Sequence, residues 1–281
     1  MSVQQQSTFV QTKPWKVHVH DVGEGPVVVL LHGSGPGATG LSNFQPNIKP
    51  LSDAGFRVLA VDMPGWGLSD SPAPGEPRDH CATLLSLLDE LGIERASLVG
   101  NSMGGMTTLR FAVEHPDRVN RIVTMGAPAP RRPGILSPAG FSEGMKILLG
   151  TYADPSRDNY RKLVEVMCFD SAFATDELVA ARADSAAQRP EHLTNFLRSM
   201  ADPNAGGMGQ FFNLGSRIAE IVAPALIVHG RDDRTVHFEN SLQLFSLIPD
   251  SRLLGFNRCG HWAQIEHAAE FNRVVSQFLS A

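Results

Sequence analysis

Cysteine is scarce: Cys81, Cys168 and Cys259 are the only three in 281 residues, and no two form a C-x-x-C pair. An odd, dispersed set builds neither a disulfide framework nor a zinc knuckle, so a reducing compartment, the cytoplasm, is expected. Basic charge is also short. The 24 Lys+Arg fall below the 29 Asp+Glu, for a net charge of −5, and no Lys/Arg block occurs. Both the counterion-release basis for nucleic-acid binding and the attraction to anionic membranes are therefore missing, and neither partner is expected. Long apolar runs are lacking as well. The strongest, residues 27–31, is far too short to span a bilayer, and the polar residues 1–11 show no export or anchoring pattern. No repeat or low-complexity tract is found. What is there is an ordinary globular composition, 42% hydrophobic and 19% charged, in a chain long enough to bury roughly three quarters of its extended surface without a staple.

Short apolar runs, several of them β-branched, recur at residues 15–22, 27–31, 56–61, 96–99, 121–125, 225–228 and 251–254, and several end at Gly, His or Asp. These predict mostly buried strands. Helix-period segments at 81–91, 103–115, 240–247 and 266–279 lie between many of them, the second closing where Pro116 disfavours helical geometry at His115. Such alternation predicts an α/β fold with a mostly parallel sheet flanked by helices. Over residues 128–214 the strand-like runs vanish and helical periods dominate, at 159–169, 175–187 and 190–200. This predicts a core of residues 1–127 and 215–281 with a helical cap, 128–214, inserted between strands. The Pro/Gly-rich segments 126–140 and 201–209 are then hinges. Thr175 is placed to cap its helix, with Asp176 and Glu177 at the positive end of the dipole.

Gly100-Asn101-Ser102-Met103-Gly104 satisfies G-x-S-x-G directly after a predicted strand and directly before a predicted helix. That context is a nucleophile elbow: a strained turn that projects the serine Oγ from the sheet edge, with glycines where side chains would strike neighbouring backbone. Serine needs a base and an orienting acid, in the order Ser, Asp/Glu, His for this arrangement. Gly230-Arg231-Asp232-Asp233-Arg234 and Cys259-Gly260-His261-Trp262 each follow a predicted strand, where open α/β sheets build their sites. His261 is the expected base. Asp232 and Asp233 cannot both face one imidazole; Asp233 is preferred as the acid, and Asp232 is the alternative, otherwise solvated or paired with an arginine. His18 and His20 share a strand face without a third metal ligand nearby, so a partly exposed face is expected and no metal site. His115, His192, His229, His237 and His267 receive no role.

His32-Gly33-Ser34-Gly35-Pro36-Gly37-Ala38-Thr39-Gly40 formally satisfies G-x-G-x-x-G. A dinucleotide site needs a long regular helix opening in this loop, whereas Pro36, Pro46 and Pro50 interrupt the stretch, so an oxyanion hole is preferred. Its two backbone N–H donors are those of Ser34 and Met103.

On these residues the chain resembles the meta-cleavage-product hydrolases of the α/β-hydrolase fold, which break carbon–carbon bonds in the bacterial breakdown of aromatic rings. The resemblance spans nearly the whole chain. It is carried by residues 32–38 (H-G-S-G-P-G-A) with Ser42-Asn43-Phe44, residues 100–105 (G-N-S-M-G-G), Tyr152-Ala153-Asp154-Pro155-Ser156, Pro190-Glu191-His192-Leu193 with Asn195-Phe196, residues 230–234 (G-R-D-D-R) and residues 259–264 (C-G-H-W-A-Q). It implies water-dependent, cofactor-free cleavage of a 2-hydroxy-6-oxohexa-2,4-dienoate into a 2-hydroxypenta-2,4-dienoate and a carboxylic acid. Position by position it implies that Ser102 attacks the C6 ketone or activates water there, that His261 moves the protons and that Asp233 orients His261. It also implies that Asn43 and Asn101 contact the dienoate and that Trp262 lines the pocket. A cap arginine is expected to hold the substrate carboxylate, since a planar guanidinium binds it bidentately. Relatives place this arginine either directly before the Pro-Glu-His-Leu run or two residues before it. Arg189 is chosen here, because position 188 is Gln, and Arg182 is the fallback. Relatives are commonly dimers or larger, so a homo-oligomer is expected.

The triad alone does not distinguish an ester carbonyl from a vinylogous ketone, so an esterase or lactonase of the same fold is the rival reading. A non-enzymatic receptor would carry a damaged triad. Haloalkane dehalogenases and epoxide hydrolases share the look of Asp62-Met63-Pro64-Gly65-Trp66-Gly67 but use Asp where Ser102 stands. The group on C6 depends on how the cap closes, with Phe141, Met145, Ile147, Leu148 and Phe173 as candidate walls.

Overall fold

Each expected apolar run forms a strand, because buried β-branched backbone has no water to bond and must pair with a neighbour. The computed structural model describes residues 6–13, 15–74, 76, 78–130, 140–201 and 211–281. Its strands are β1 (Gln6–Gln11), β2 (Lys16–Val22), β3 (Val27–Leu31), β4 (Arg57–Val61), β5 (Ala96–Asn101), β6 (Val119–Met125), β7 (Ala225–Gly230) and β8 (Ser251–Phe256). They form one sheet in the order β1-β2-β4-β3-β5-β6-β7-β8. β1 and β2 pair antiparallel, as do β2 and β4, and the other neighbours are parallel. The parallel strands all point their C-terminal ends the same way, which brings the loops after β3, β5, β7 and β8 to one edge.

The helices are α1 (Gly40–Asp53), α2 (His80–Glu90), α3 (Met103–Glu114), α4 (Glu143–Ala153), α5 (Arg157–Met167), α6 (Asp176–Ala187), α7 (Pro190–Ala201), α8 (Glu239–Leu247), α9 (Ala263–Glu266) and α10 (Ala268–Ser280). Among the described residues, α4 to α7 lie between β6 and β7. Thr175 does cap α6, its side chain accepting from the Leu178 N–H. Residues 131–139 and 202–209 of the two expected hinges lie outside the described residues.

Three features depart from expectation. The polar start contributes β1, an edge strand whose alternation needs little apolar content. It covers His18, so that side chain is buried rather than partly exposed: its Nδ1 meets Asp62 Oδ2 at 2.8 Å and its Nε2 meets Ser7 Oγ at 2.7 Å. α1 forms despite Pro46 and Pro50. Thr39 and Ser42 close a capping box at its start, and Phe44, Ile48 and Leu51 bury one face. Pro50 has no N–H to give the Pro46 carbonyl, and Asn272 Nδ2 on α10 donates there instead at 2.9 Å. The prolines are thus no argument against a helix after the glycine loop. The predicted helix 266–279 is divided at His267 into α9 and α10.

Candidate active site

Ser102 stands between β5 and α3 with φ +54°, a strained backbone for a non-glycine residue. The turn closes because both glycines leave room: a Cβ on Gly100 would lie 2.2 Å from Gly104 O, and one on Gly104 2.0 Å from Leu31 O. Ser102 N–H donates to Met125 O at 2.8 Å, tying the turn to β6. Met103 is the first residue of α3, so its N–H has no partner within the helix and faces the same region as the dipole's positive end.

His261 and Asp233 meet across the loops that follow β8 and β7. His261 Nδ1 donates to Asp233 Oδ2 at 2.7 Å, and both side chains are buried. This leaves His261 Nε2 with a free lone pair, in a pocket that Ser102 also lines. Asp233 Oδ1 accepts from the N–H groups of Thr235 and Val236 at 2.7 and 2.9 Å. A fourth donor is His229, to which the sequence reading gave no role. Its Nε2 lies 2.7 Å from Val236 O and 3.2 Å from Asp233 Oδ2, two acceptors, so Nε2 carries the proton while Nδ1 accepts from Ser241 Oγ at 2.6 Å. Burial opposes the charge on Asp233, but His261, His229 and these bonds outweigh it and hold the carboxyl well below the usual carboxylate range. Asp232 instead pairs with Arg231 at 3.2 Å.

The loop after β3 is fixed by His32. Met63 N–H donates to His32 Nε2 at 3.0 Å, so the proton sits on Nδ1, which donates to Gly33 O at 2.7 Å. Burial lowers the His32 pKa, in keeping with a neutral ring. In a trans peptide the N–H opposes the C=O, so anchoring Gly33 O aims the Ser34 N–H the opposite way. A Cβ on Gly33 would come within 3.3 Å of Ser102 Cβ, which places the two loops against each other. Tyr152 Oη on α4 donates to Ser34 O at 2.7 Å and meets His192 Nε2 at 3.2 Å, so the helices over the site hold this loop too.

Two pockets share Ser34 and Ser102 in their walls. One, the polar pocket, gathers the polar side chains Asn43, Asn101, Ser102, Arg182 and His261 beside Trp262, Leu148, Leu163 and Met167. The structure gives the two candidate arginines different surroundings. Arg182 is buried, with Cζ 4.4 Å over the Trp262 ring and Nη2 3.4 Å from Asn43 Oδ1, and its Nε has no hydrogen-bond partner. Burial lowers its pKa to about 10, which still leaves it charged at neutral pH. Arg189 lies beyond the end of α6, so helical spacing no longer puts it on the face of Arg182. Its Nε and Nη2 donate to Gly67 O and Leu68 O at 3.3 and 3.2 Å. Asn101 is partly spent on structure, its Nδ2 donating to Met125 O and His261 O at 3.2 Å, while its Oδ1 accepts from Asn43 Nδ2 at 3.1 Å.

The second pocket is mainly apolar, with Trp66, Met103, Met106, Met145, Phe196 and Phe211 in its walls, and Arg78 and His80 at its edge. Of the candidate wall residues, Met145 and Leu148 line these pockets. Phe141 and Ile147 border a wide outer groove of about 890 Å³ that includes neither Ser102 nor His261. Beyond Arg78 and His229, sequence reading also missed Glu266, whose carboxylate accepts from Gly260 N–H and Phe169 N–H at 2.7 Å each and so fixes the His261 loop. Position next to Gly230 was the one available signal for His229, and Glu266, six residues after Gly260, carried none. Among the described residues no group of three or more His, Cys, Asp or Glu side chains is arranged to hold a metal, and no helix is long and apolar enough to cross a membrane.

The family described as alpha/beta hydrolase fold matches residues 26–268. A 2-hydroxy-6-oxononadienedioate/2-hydroxy-6-oxononatrienedioate hydrolase from Cupriavidus pinatubonensis is 45% identical over 280 residues, covering 97% of this chain and 95% of its own. Among solved structures, a meta-cleavage product hydrolase from Pseudomonas fluorescens superposes with a TM-score of 0.85 at 32% identity, covering 97% of each chain. The 2-hydroxy-6-oxo-6-phenylhexa-2,4-dienoate hydrolase of a Rhodococcus species does so at 0.85 and 30%, covering 100% of each. With the expected fold and loop arrangement in place, the chain belongs to the meta-cleavage-product hydrolases of the α/β-hydrolase fold.

Proposed function

We propose that Ser102, His261 and Asp233 act as a catalytic triad that hydrolyses the C5–C6 bond of a 2-hydroxy-6-oxohexa-2,4-dienoate. Relatives at 45% and 43% identity are named for nonadienedioates, in which the arm on C6 ends in a second carboxylate, and this is the class proposed here. The observation that carries the reading is the polar pocket, where a buried, charged Arg182 with an unpartnered Nε shares walls with Ser102 and His261. An uncompensated buried guanidinium is costly unless a ligand anion pairs with it, and the C1 carboxylate is such an anion.

Arg182 binds C1, with Asn43 and Trp262 setting its orientation and Asn101 shaping the pocket beside the dienoate. The dienol tautomerises to a 2-keto form. Ser102 then directs attack at C6, through its own Oγ or a water it activates, while His261 Nε2 takes the proton and Asp233 stabilises the imidazolium. The N–H groups of Ser34 and Met103 stabilise the oxyanion. As C5–C6 breaks, its electron pair enters the enone and ends on the C2 oxygen, which takes the proton back from His261, and 2-hydroxypenta-2,4-dienoate leaves. Water completes release of C6 as the carboxylic acid. None of these steps needs a cofactor. Helices α4 to α7 serve as the cap, with residues 1–127 and 215–281 as the core. Comparing kcat/KM for a dienoate and for a nitrophenyl ester tests the reading against an esterase: the dienoate is expected to be preferred, and efficient ester cleavage with no dienoate turnover would overturn it.

A further inference from the structure

The second pocket holds a charge that catalysis does not use. Arg78 is 8% exposed, and its Nη2 donates to Ser199 Oγ on α7 at 2.7 Å. Its Nη1 is buried without a hydrogen-bond partner, and among the described residues no carboxylate lies within ion-pair distance. The carboxylates nearest in sequence are committed elsewhere: Asp79 pairs with Arg110 at 2.9 Å, and Glu76 accepts from the Ala73 N–H at 2.9 Å. His80 Nδ1, also buried and without a hydrogen-bond partner, borders the same pocket. The guanidinium lies 5.3 Å from the Trp66 ring and 5.6 Å from the Phe196 ring, so aromatic faces fix it rather than neutralise it. A tie between core and α7 accounts for Nη2 but leaves Nη1 over. A buried cation with an open donor is matched by an anion from outside the chain.

We infer that Arg78 is the specificity residue that binds a second carboxylate, at the far end of the arm on C6. The inference rests on the proposed reaction at Ser102. Arg182 and Arg78 line two different pockets that share Ser34 and Ser102 in their walls. A substrate charged at both ends is thus drawn across the nucleophile with C6 between the two cations, while the apolar walls take the methylenes of the arm.

The test compares 2-hydroxy-6-oxonona-2,4-dienedioate with 2-hydroxy-6-oxonona-2,4-dienoate, which replaces the far carboxylate by a methyl group. Both are assayed with native protein, Arg78→Met and Arg78→Lys, and the readout is the ratio of the two kcat/KM values within each protein, which partial misfolding does not alter. Native protein is expected to prefer the dioate. Arg78→Met is expected to lower the ratio roughly tenfold to a hundredfold, through the KM of the dioate, with Arg78→Lys in between. A ratio unchanged by Arg78→Met, or native preference for the methyl-ended substrate, would overturn the inference and leave the reaction standing. If native protein turns over neither dienoate, the reaction itself fails and the inference with it.

Discussion

Arg182 and Arg189 stand seven positions apart, and folding gives them different surroundings. Both precede the Pro-Glu-His-Leu run, and position relative to that run favours Arg189 in the sequence. The end of α6 separates them: Arg182 faces the polar pocket, and Arg189 bonds the Gly67 and Leu68 carbonyls. Arg182→Met is therefore expected to raise KM for a dienoate roughly tenfold to a hundredfold, the worth of a charged hydrogen-bonded contact. Arg189→Met is expected to change KM less than about threefold. Steady-state kinetics on both variants checks this, and the reverse order would return the role to Arg189. Asp233→Asn keeps the shape but loses the charge and the acceptor that orient His261, so kcat is expected to fall roughly 10³–10⁴-fold. That only one of the two adjacent carboxylates can face the imidazole was legible, and folding makes it Asp233. His229 and Arg78 were not legible, because a histidine or arginine in isolation carries no pattern. Their partners Val236, Ser241 and Ser199 are brought to them only by folding.

Elements carrying strong periodicity were read within a few residues, as with α3, α6 and the parallel strands. β1 and α1 were not, for opposite reasons. β1 is an edge strand and needs few apolar residues, so its pattern is weak. α1 has a clear apolar face, yet its two prolines argue against a helix locally, and the compensation comes from Asn272, far away in sequence. That side chain also accepts from Asn47 Nδ2 at 2.8 Å. Asn272→Leu leaves the Pro46 carbonyl and the Asn47 amide short of a partner, and is expected to cost about 1–3 kcal/mol in urea denaturation. An unchanged midpoint would mean that α1 needs no such support. Gly37 makes a second test at this scale. At φ +69°, with a Cβ that would lie 1.9 Å from Arg182 O, it cannot take a side chain without moving α6. Gly37→Ala is expected to destabilise the protein by about 1–3 kcal/mol and to weaken dienoate binding together with it.

Across the whole molecule, the sheet brings four loops to one edge and α4 to α7 close over them, so buried ionisable groups collect at the junction. Burial, assisted by the nearby Arg78 cation, lowers the pKa of His80 from 6.5 to about 3 and that of His192 to about 2. Both bind a proton more readily when the chain unfolds. Stability is therefore expected to be full above about pH 6.5 and to decline below it, by up to about 1.4 kcal/mol per pH unit for each histidine. Asp233 adds to the loss only below about pH 4, since its folded pKa is held beneath the ordinary 3.8. Thermal unfolding followed between pH 4 and pH 8 checks the sign, and stability that rises on acidification would contradict the burial of both rings. The parallel sheet, the helical segment between β6 and β7 and the order of Ser102, Asp233 and His261 were all legible, because strand and helix periods survive in the sequence. The division of the cavity at Ser102 into a polar and an apolar half was not, since it depends on how α4 to α7 settle over the sheet.

The most direct measurement of the central claim follows the yellow dienolate absorbance of 2-hydroxy-6-oxononadienedioate with native protein and with Ser102→Ala, alongside product analysis. Native protein is expected to bleach the colour with equal yields of 2-hydroxypenta-2,4-dienoate and the carboxylic acid, and Ser102→Ala to slow this by at least about 10³-fold. Colour that persists with native protein, or cleavage that continues unslowed in Ser102→Ala, would contradict the central claim.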